Sequence, residues 1–134
     1  MRSPNRRPAI VVAQSEHAQL FTLAGGSQMP AAESLLMEME RARIVPDHKL
    51  PPDVVRIGSQ VQYRTDRDEV VEVTLVYPAK ANISQGRISV LTPVGAALIG
   101  LRTGQSIAWE ARDGRSNTLT VVSVAQTADE PAGA

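Results

Sequence analysis

Histidines, carboxylates, hydroxyls and phosphate-cradling glycines are the groups with which this chain could do chemistry, and none falls into a reactive spacing. His17 and His48 are the only histidines. Neither has a partner at the short intervals of a zinc site. With no cysteine in the chain, thiolate metal sites, cysteine nucleophiles and disulfides are all excluded. Asp66, Asp68 and Glu69 cluster, but Arg64 and Arg67 intervene. A hard-cation site needs carboxylates that converge with little opposing charge, so a solvated turn is the better reading. Asp47 and Asp53 near His48 are read the same way. Gly95, Gly100 and Gly104 lack the Gly-Lys-Ser/Thr ending of a phosphate loop and read as structural turns. No Gly-x-Ser-x-Gly elbow is present to expose a serine nucleophile. The residues by themselves therefore predict no catalytic, cofactor or metal site.

Composition points the same way. The 134 residues carry 14 basic and 14 acidic side chains, for a formal net charge of zero. Domains whose main task is to grip phosphates are usually basic, so strong direct nucleic-acid binding is not expected. A local patch from Arg87, Arg102, Arg112 and Arg115 leaves room only for weak DNA contact. Apolar residues make up 43% of the chain, enough for a core. No apolar run approaches the roughly 20 residues of a membrane span. Arg2, Arg6 and Arg7 precede Ile10-Val11-Val12, but that run is too short for a signal peptide. The lack of cysteine fits a cytoplasmic setting.

Two kinds of periodicity organise the chain. Residues 1–8 are basic and read as loose, and Pro8 to Ala13 as a short strand or extended lead-in. Ser15 is a candidate helix cap, and His17, Leu20, Phe21 and Ala24 then follow the i, i+3, i+4, i+7 spacing of a helix face. Gly25-Gly26-Ser27 breaks that helix, and Pro30 can open another with Leu35, Leu36, Met39 and Ala42 in a stripe. Glu33, Glu38, Glu40 and Arg41 are expected to face water. The pair predicts a short antiparallel helical hairpin sealed by its two stripes. Helices this short are marginal alone, so the hairpin is expected to be a separable unit of low stability, and Leu35→Asp to melt it alone.

Pro46, Pro51 and Pro52 mark an extended linker, which bounds an N-terminal part of residues 1–50. From Val54 the period becomes two. Val61 and Tyr63 alternate with polar neighbours. Arg64 to Glu69 is a charged turn, and Val70 to Tyr77 a strand with Val71, Val73, Leu75 and Tyr77 on one side. Ile88 to Leu91 is the next strand. Ile107 to Arg112 and Thr118 to Val124 flank Asp113-Gly114, a hairpin-favouring pair. The expected fold class is α+β, with an antiparallel sheet domain over residues 51–125, one short helix, and a flexible tail over 126–134.

The most informative run is Ile88-Ser89-Val90-Leu91-Thr92-Pro93-Val94-Gly95-Ala96-Ala97-Leu98-Ile99-Gly100-Leu101-Arg102-Thr103-Gly104. Thr92 can cap orphan N–H groups, Pro93 suits the first helical position, and Gly100 sits where the helix would end. This run, with Leu75-Val76-Tyr77-Pro78-Ala79-Lys80, resembles the C-terminal domain of the Gre transcript-cleavage factors. Pro51-Pro52-Asp53-Val54-Val55, Ser59-Gln60-Val61 and Arg41-Ala42-Arg43-Ile44-Val45 are most similar to the short Rnk-type members, the regulators of nucleoside diphosphate kinase.

The resemblance implies an FKBP-like sheet domain that docks on RNA polymerase near the rim of its secondary channel. By position, it assigns docking to Leu91, Thr92, Pro93, Val94 and Gly95. In Gre factors an aspartate often precedes the Ser-Pro of that loop, whereas Leu91 and Thr92 stand here. Gre factors also need carboxylates at the tip of a long coiled coil to hold a catalytic magnesium ion. The tip here, Gly25, Gly26 and Ser27, has none. The resemblance thus implies a non-enzymatic regulator that does not cleave transcripts and competes with Gre factors. An FKBP-type prolyl isomerase is the alternative, disfavoured because the chain has only Phe21, Tyr63, Tyr77 and Trp109 as aromatics.

Overall fold

In a computed structural model, residues 8–110 and 114–126 are described. The expectations for residues 1–7, Arg112, Asp113 and residues 127–134 lie outside them. Strand β1 (Val11–Ala13) leads into α1 (Gln14–Gly25), α2 (Pro30–Arg41) and β2 (Arg43–Val45). Then come β3 (Ser59–Thr65), β4 (Val70–Val76), β5 (Arg87–Ser89), α3 (Pro93–Leu98), β6 (Ser106–Glu110) and β7 (Ser116–Gln126). Among the described residues the result is a mixed α and β fold with three α-helices and a five-stranded sheet ordered β5-β4-β3-β7-β6. All its pairs are antiparallel except β4–β5, which is parallel. This corrects the fully antiparallel expectation: residues 77–86 cross over and bring the chain back beside β4 in the same direction. Among the described residues no helix is long and apolar enough to cross a membrane.

The helical hairpin forms as its stripes require. Leu20, Ala24, Leu35 and Met39 are buried together, and Pro30 opens α2. The His17 imidazole Nε2 lies 2.9 Å from the Met39 carbonyl oxygen and clips α1 to α2. Three local expectations are corrected. Phe21 is 43% exposed and stacks on the His17 ring, because the buried face of α1 is centred on Glu16, Leu20 and Ala24. Ser15 is not the cap: α1 starts at Gln14 with Ala13 in the cap position, two residues earlier, and Ser15 donates its backbone N–H to Asp47 at 3.0 Å and its hydroxyl to the same carboxylate. Those two bonds hold the Asp47 carboxyl below the usual carboxylate range. Glu38 is buried, not in water, and Arg41 neutralises it at 2.7 Å.

The proline segment is more ordered than an extended linker. β2 pairs in parallel with β1, and Asp47–Lys49 forms a 3-10 turn. Strand β1 sets the hairpin on the rest of the chain. Ile10 is 1% exposed, Val11 donates to the Gly100 carbonyl at 3.2 Å, and Arg43 donates to the Ile10 carbonyl at 3.0 Å. One apolar cluster runs from Ile10, Leu20, Leu35 and Met39 into Val61, Leu75, Leu98 and Leu119. The expected independence of the hairpin therefore meets a shared core.

A polar tie reinforces it. The Glu16 carboxylate accepts from Arg56 Nε at 3.1 Å and from the Ile57 N–H at 3.3 Å. Burial raises the Glu16 pKa above the carboxylate norm against the pull of Arg56. Tyr77 donates to Gln19 of α1, and burial, with the Glu16 charge, pushes its phenol up to about 12.

The expected strand Ile88–Leu91 is shorter and shifted. Pairing with β4 stops at Ser89, because Val90 and Leu91 turn into the core ahead of α3. Tyr63 sits at a register shift between β3 and β7, where pairing jumps from Gln62↔Ser123 to Tyr63↔Val121. Such a bulge re-aims the side chains around it.

Candidate functional site

The Thr92–Pro93 signal forms as expected. Thr92 takes extended backbone, and its Oγ1 accepts from the Gly95 N–H at 3.0 Å. The same hydroxyl donates to the Ser89 carbonyl at 2.7 Å, and Ser89 Oγ accepts from the Leu91 N–H at 2.9 Å. A cap of this kind contributes about 1 kcal/mol. It fixes the entry to α3, a helix too short to hold its first turn otherwise. Gly100, with φ at 83°, ends the segment, and its open Cα side faces Ile10.

This geometry divides the five docking residues expected from the sequence. Leu91 is 5% exposed and faces the core, so its role is packing. Gly95 is also buried, and a Cβ there would stand 2.2 Å from the Ser89 carbonyl oxygen. Thr92, Pro93 and Val94 are the members left at the surface, each half-buried. A docking surface can use their side chains, while Leu91 and Gly95 hold them in place.

Two depressions meet at this segment. Pro93 and Trp109 line both of them. The first is a cleft of about 570 Å³ that spans the sheet face from Ile88 on edge strand β5 to Trp109 on edge strand β6, with Tyr63 of β3 between. Ile83, 85% exposed, stands at its border. The second, of about 290 Å³, runs between α2 and α3 past Ser34 and Met37. Trp109, Tyr63 and Met37 were not identified from sequence as part of a site. The one usable signal was Trp109, the only tryptophan, placed in an otherwise ordinary strand pattern.

The hairpin tip forms a separate feature. Gly25 closes α1, and Ser27 Oγ accepts from the Met29 N–H at 3.1 Å, turning the chain into α2. A Cβ at Gly25 would meet nothing within 4 Å, so this connection is open to solvent. Gly25, Gly26 and Ser27 place no carboxylate there.

The other candidates are dispersed. Asp66 accepts from the Thr118 N–H at 3.3 Å, and Asp68 faces Arg64 at 3.8 Å on an exposed turn. Arg102 pairs with Asp53 at 3.1 Å, and Arg87 lines the larger cleft. Among the described residues, no three His, Asp or Glu side chains converge into a cation cage.

Known proteins resemble this chain in sequence and fold. The family described as "Transcription elongation factor, GreA/GreB, C-term" matches residues 50–126. The chain is 39% identical over 120 residues to the regulator of nucleoside diphosphate kinase of Escherichia coli K12, covering 87% of this chain and 88% of that protein. It is 34% identical over 120 residues to transcription elongation factor GreA of Rhodospirillum rubrum, covering 81% of this chain and 76% of that protein. A solved GreA/GreB elongation factor from Nitrosomonas europaea superposes with a TM-score of 0.71 at 33% identity, over 89% of this chain and 99% of that one.

Proposed function

The chain belongs to the GreA/GreB C-terminal family, and from that membership we propose that it is an RNA polymerase-binding transcription regulator of the nucleoside diphosphate kinase regulator type. The observation that carries this reading is the capped Thr92–Pro93–Val94 segment, held at the surface by buried Leu91 and Gly95 within the family-matched region. The sheet domain docks near the rim of the polymerase secondary channel through these three residues. The hairpin lies at the channel mouth and competes there with Gre factors. Residues 51–125 act as the docking module, in keeping with the match over 50–126. The finer assignment of this module as FKBP-like rests on the resemblance. The setting of the work is the cytoplasm.

The relatives are named as a regulator and as elongation factors, which supports a binding role over prolyl isomerisation. The docking assignment makes a direct prediction. Replacing Pro93 and Val94 together by aspartate should remove co-elution with purified polymerase core while the far-ultraviolet dichroism stays that of the parent. Both side chains are only half-buried, so the charges can stay in water. Undiminished co-elution would show that the polymerase is held elsewhere.

The tip makes the second prediction. A magnesium ion held for phosphoryl chemistry needs hard oxygen ligands, and Gly25, Gly26 and Ser27 offer no carboxylate. Backtracked elongation complexes incubated with the protein and magnesium should release short 3′ RNA fragments no faster than without it. Accelerated release would refute the non-cleaving role.

A further inference from the structure

The larger cleft carries an unspent set of polar groups. Tyr63 is 8% exposed, yet among the described residues its hydroxyl has no hydrogen-bond partner. Burial alone accounts for the raised pKa of its phenol, with no charge or bond acting on it. A cleft-lining hydroxyl that no protein group bonds is left to pair with water or with a ligand. The register shift at Tyr63 favours the ligand, since bulges re-aim side chains beside binding sites.

Arg87, also on the cleft, is exposed and has no carboxylate partner among the described residues. The Ser89 and Thr92 oxygens already serve the turn ahead of α3. What remains for a ligand is therefore a phenol donor and a cation set in an apolar cleft between Ile88 and Trp109. The volume, about 570 Å³, falls within the range of small-molecule sites.

We propose that this cleft binds a small amphiphilic carboxylate, with its apolar body against Tyr63 and Trp109 and its anionic group at Arg87 and the Tyr63 hydroxyl. A neutral hydrocarbon would leave both donors unmet. A phosphate-rich ligand would find one cation and an apolar surface. An apolar acid satisfies both halves of the cleft. Thr92, Pro93 and Val94 also line this cleft, but the proposal does not rest on the polymerase reading, and its measurement requires no polymerase.

Trp109 is the sole tryptophan of the chain and lines the cleft, so its fluorescence reports occupancy directly. Phenylbutyrate serves as the probe on the full chain, with phenylbutyramide as its uncharged counterpart. Phenylbutyrate is expected to change Trp109 emission saturably in the millimolar range. The amide should bind about tenfold more weakly, and Arg87→Gln should weaken phenylbutyrate by a similar factor. Tyr63→Phe removes one oxygen, so it should keep the fold, leave the apo protein at least as resistant to urea, and weaken the acid several-fold. A linear, unsaturable change overturns the proposal. So does equal binding of acid and amide, or binding of the acid that Arg87→Gln and Tyr63→Phe both leave unchanged.

Discussion

Leu35→Asp is expected to unfold the whole chain under conditions where the parent is native. Leu35 is 0% exposed on α2, in the cluster that joins the hairpin to the sheet. The substitution removes the packing of a core leucine and places a carboxylate where the apolar cluster offers no cation. A truncated core leucine alone costs about 2–5 kcal/mol. The stranded carboxylate adds desolvation, or the work of protonating it. The sum reaches most of the roughly 5–15 kcal/mol that holds a domain of ordinary stability.

The extent of the loss is as informative as its size. Ile10 packs at Gly100, and Glu16 is bound to Arg56 and Ile57, so the hairpin cannot leave without uncovering the end of α3 and burying no substitute. Amide hydrogen exchange on the variant should show protection falling together in α1, α2 and Val70–Val76. Parent-level protection in Val70–Val76, with free exchange in the helices, would restore the hairpin as an independent unit. Residues 51–125 can serve as the docking module under either outcome.

Gly95→Ala is expected to destabilise the protein by about 3 kcal/mol, in the range of overpacked cores. Intrinsic helix propensity predicts the opposite sign, since alanine exceeds glycine by about 1 kcal/mol inside a helix. The close approach decides between them. The added Cβ would lie 2.2 Å from the Ser89 carbonyl oxygen and 2.9 Å from the Val90 Cα, and both are backbone atoms that no rotamer change can move. Ser89 is also the acceptor for the Thr92 hydroxyl. Relief of the clash must therefore shift the cap and carry Thr92, Pro93 and Val94 out of place. Urea unfolding measures the first effect, and co-elution with polymerase the second. A variant more stable than the parent would mean that α3 has room at this position and that Gly95 is dispensable to the segment.

Much of the local architecture was legible because it depends on neighbouring residues. The threonine cap and Pro93 start α3 as their chemistry requires, and Gly100 ends the segment with a positive φ. The two helical stripes meet, and the strand period of Val61 and Tyr63 puts both side chains on the buried face. The carboxylate-free tip is a matter of composition and needed no coordinates.

What the sequence by itself determined, then, were the helical hairpin, the alternating strands and the capped segment, each set by contacts over a few residues. Only the tertiary structure decided how these elements share one core, that β5 lies parallel to β4, and that Leu91 and Gly95 face inward while Thr92, Pro93 and Val94 remain outside. It alone joined Glu16 to Arg56 and brought Tyr63, Arg87 and Trp109 to one cleft. These residues stand on a helix, a loop and strands far apart in the chain. Their meeting is governed by sheet order and crossover, which leave no periodicity for a sequence to display.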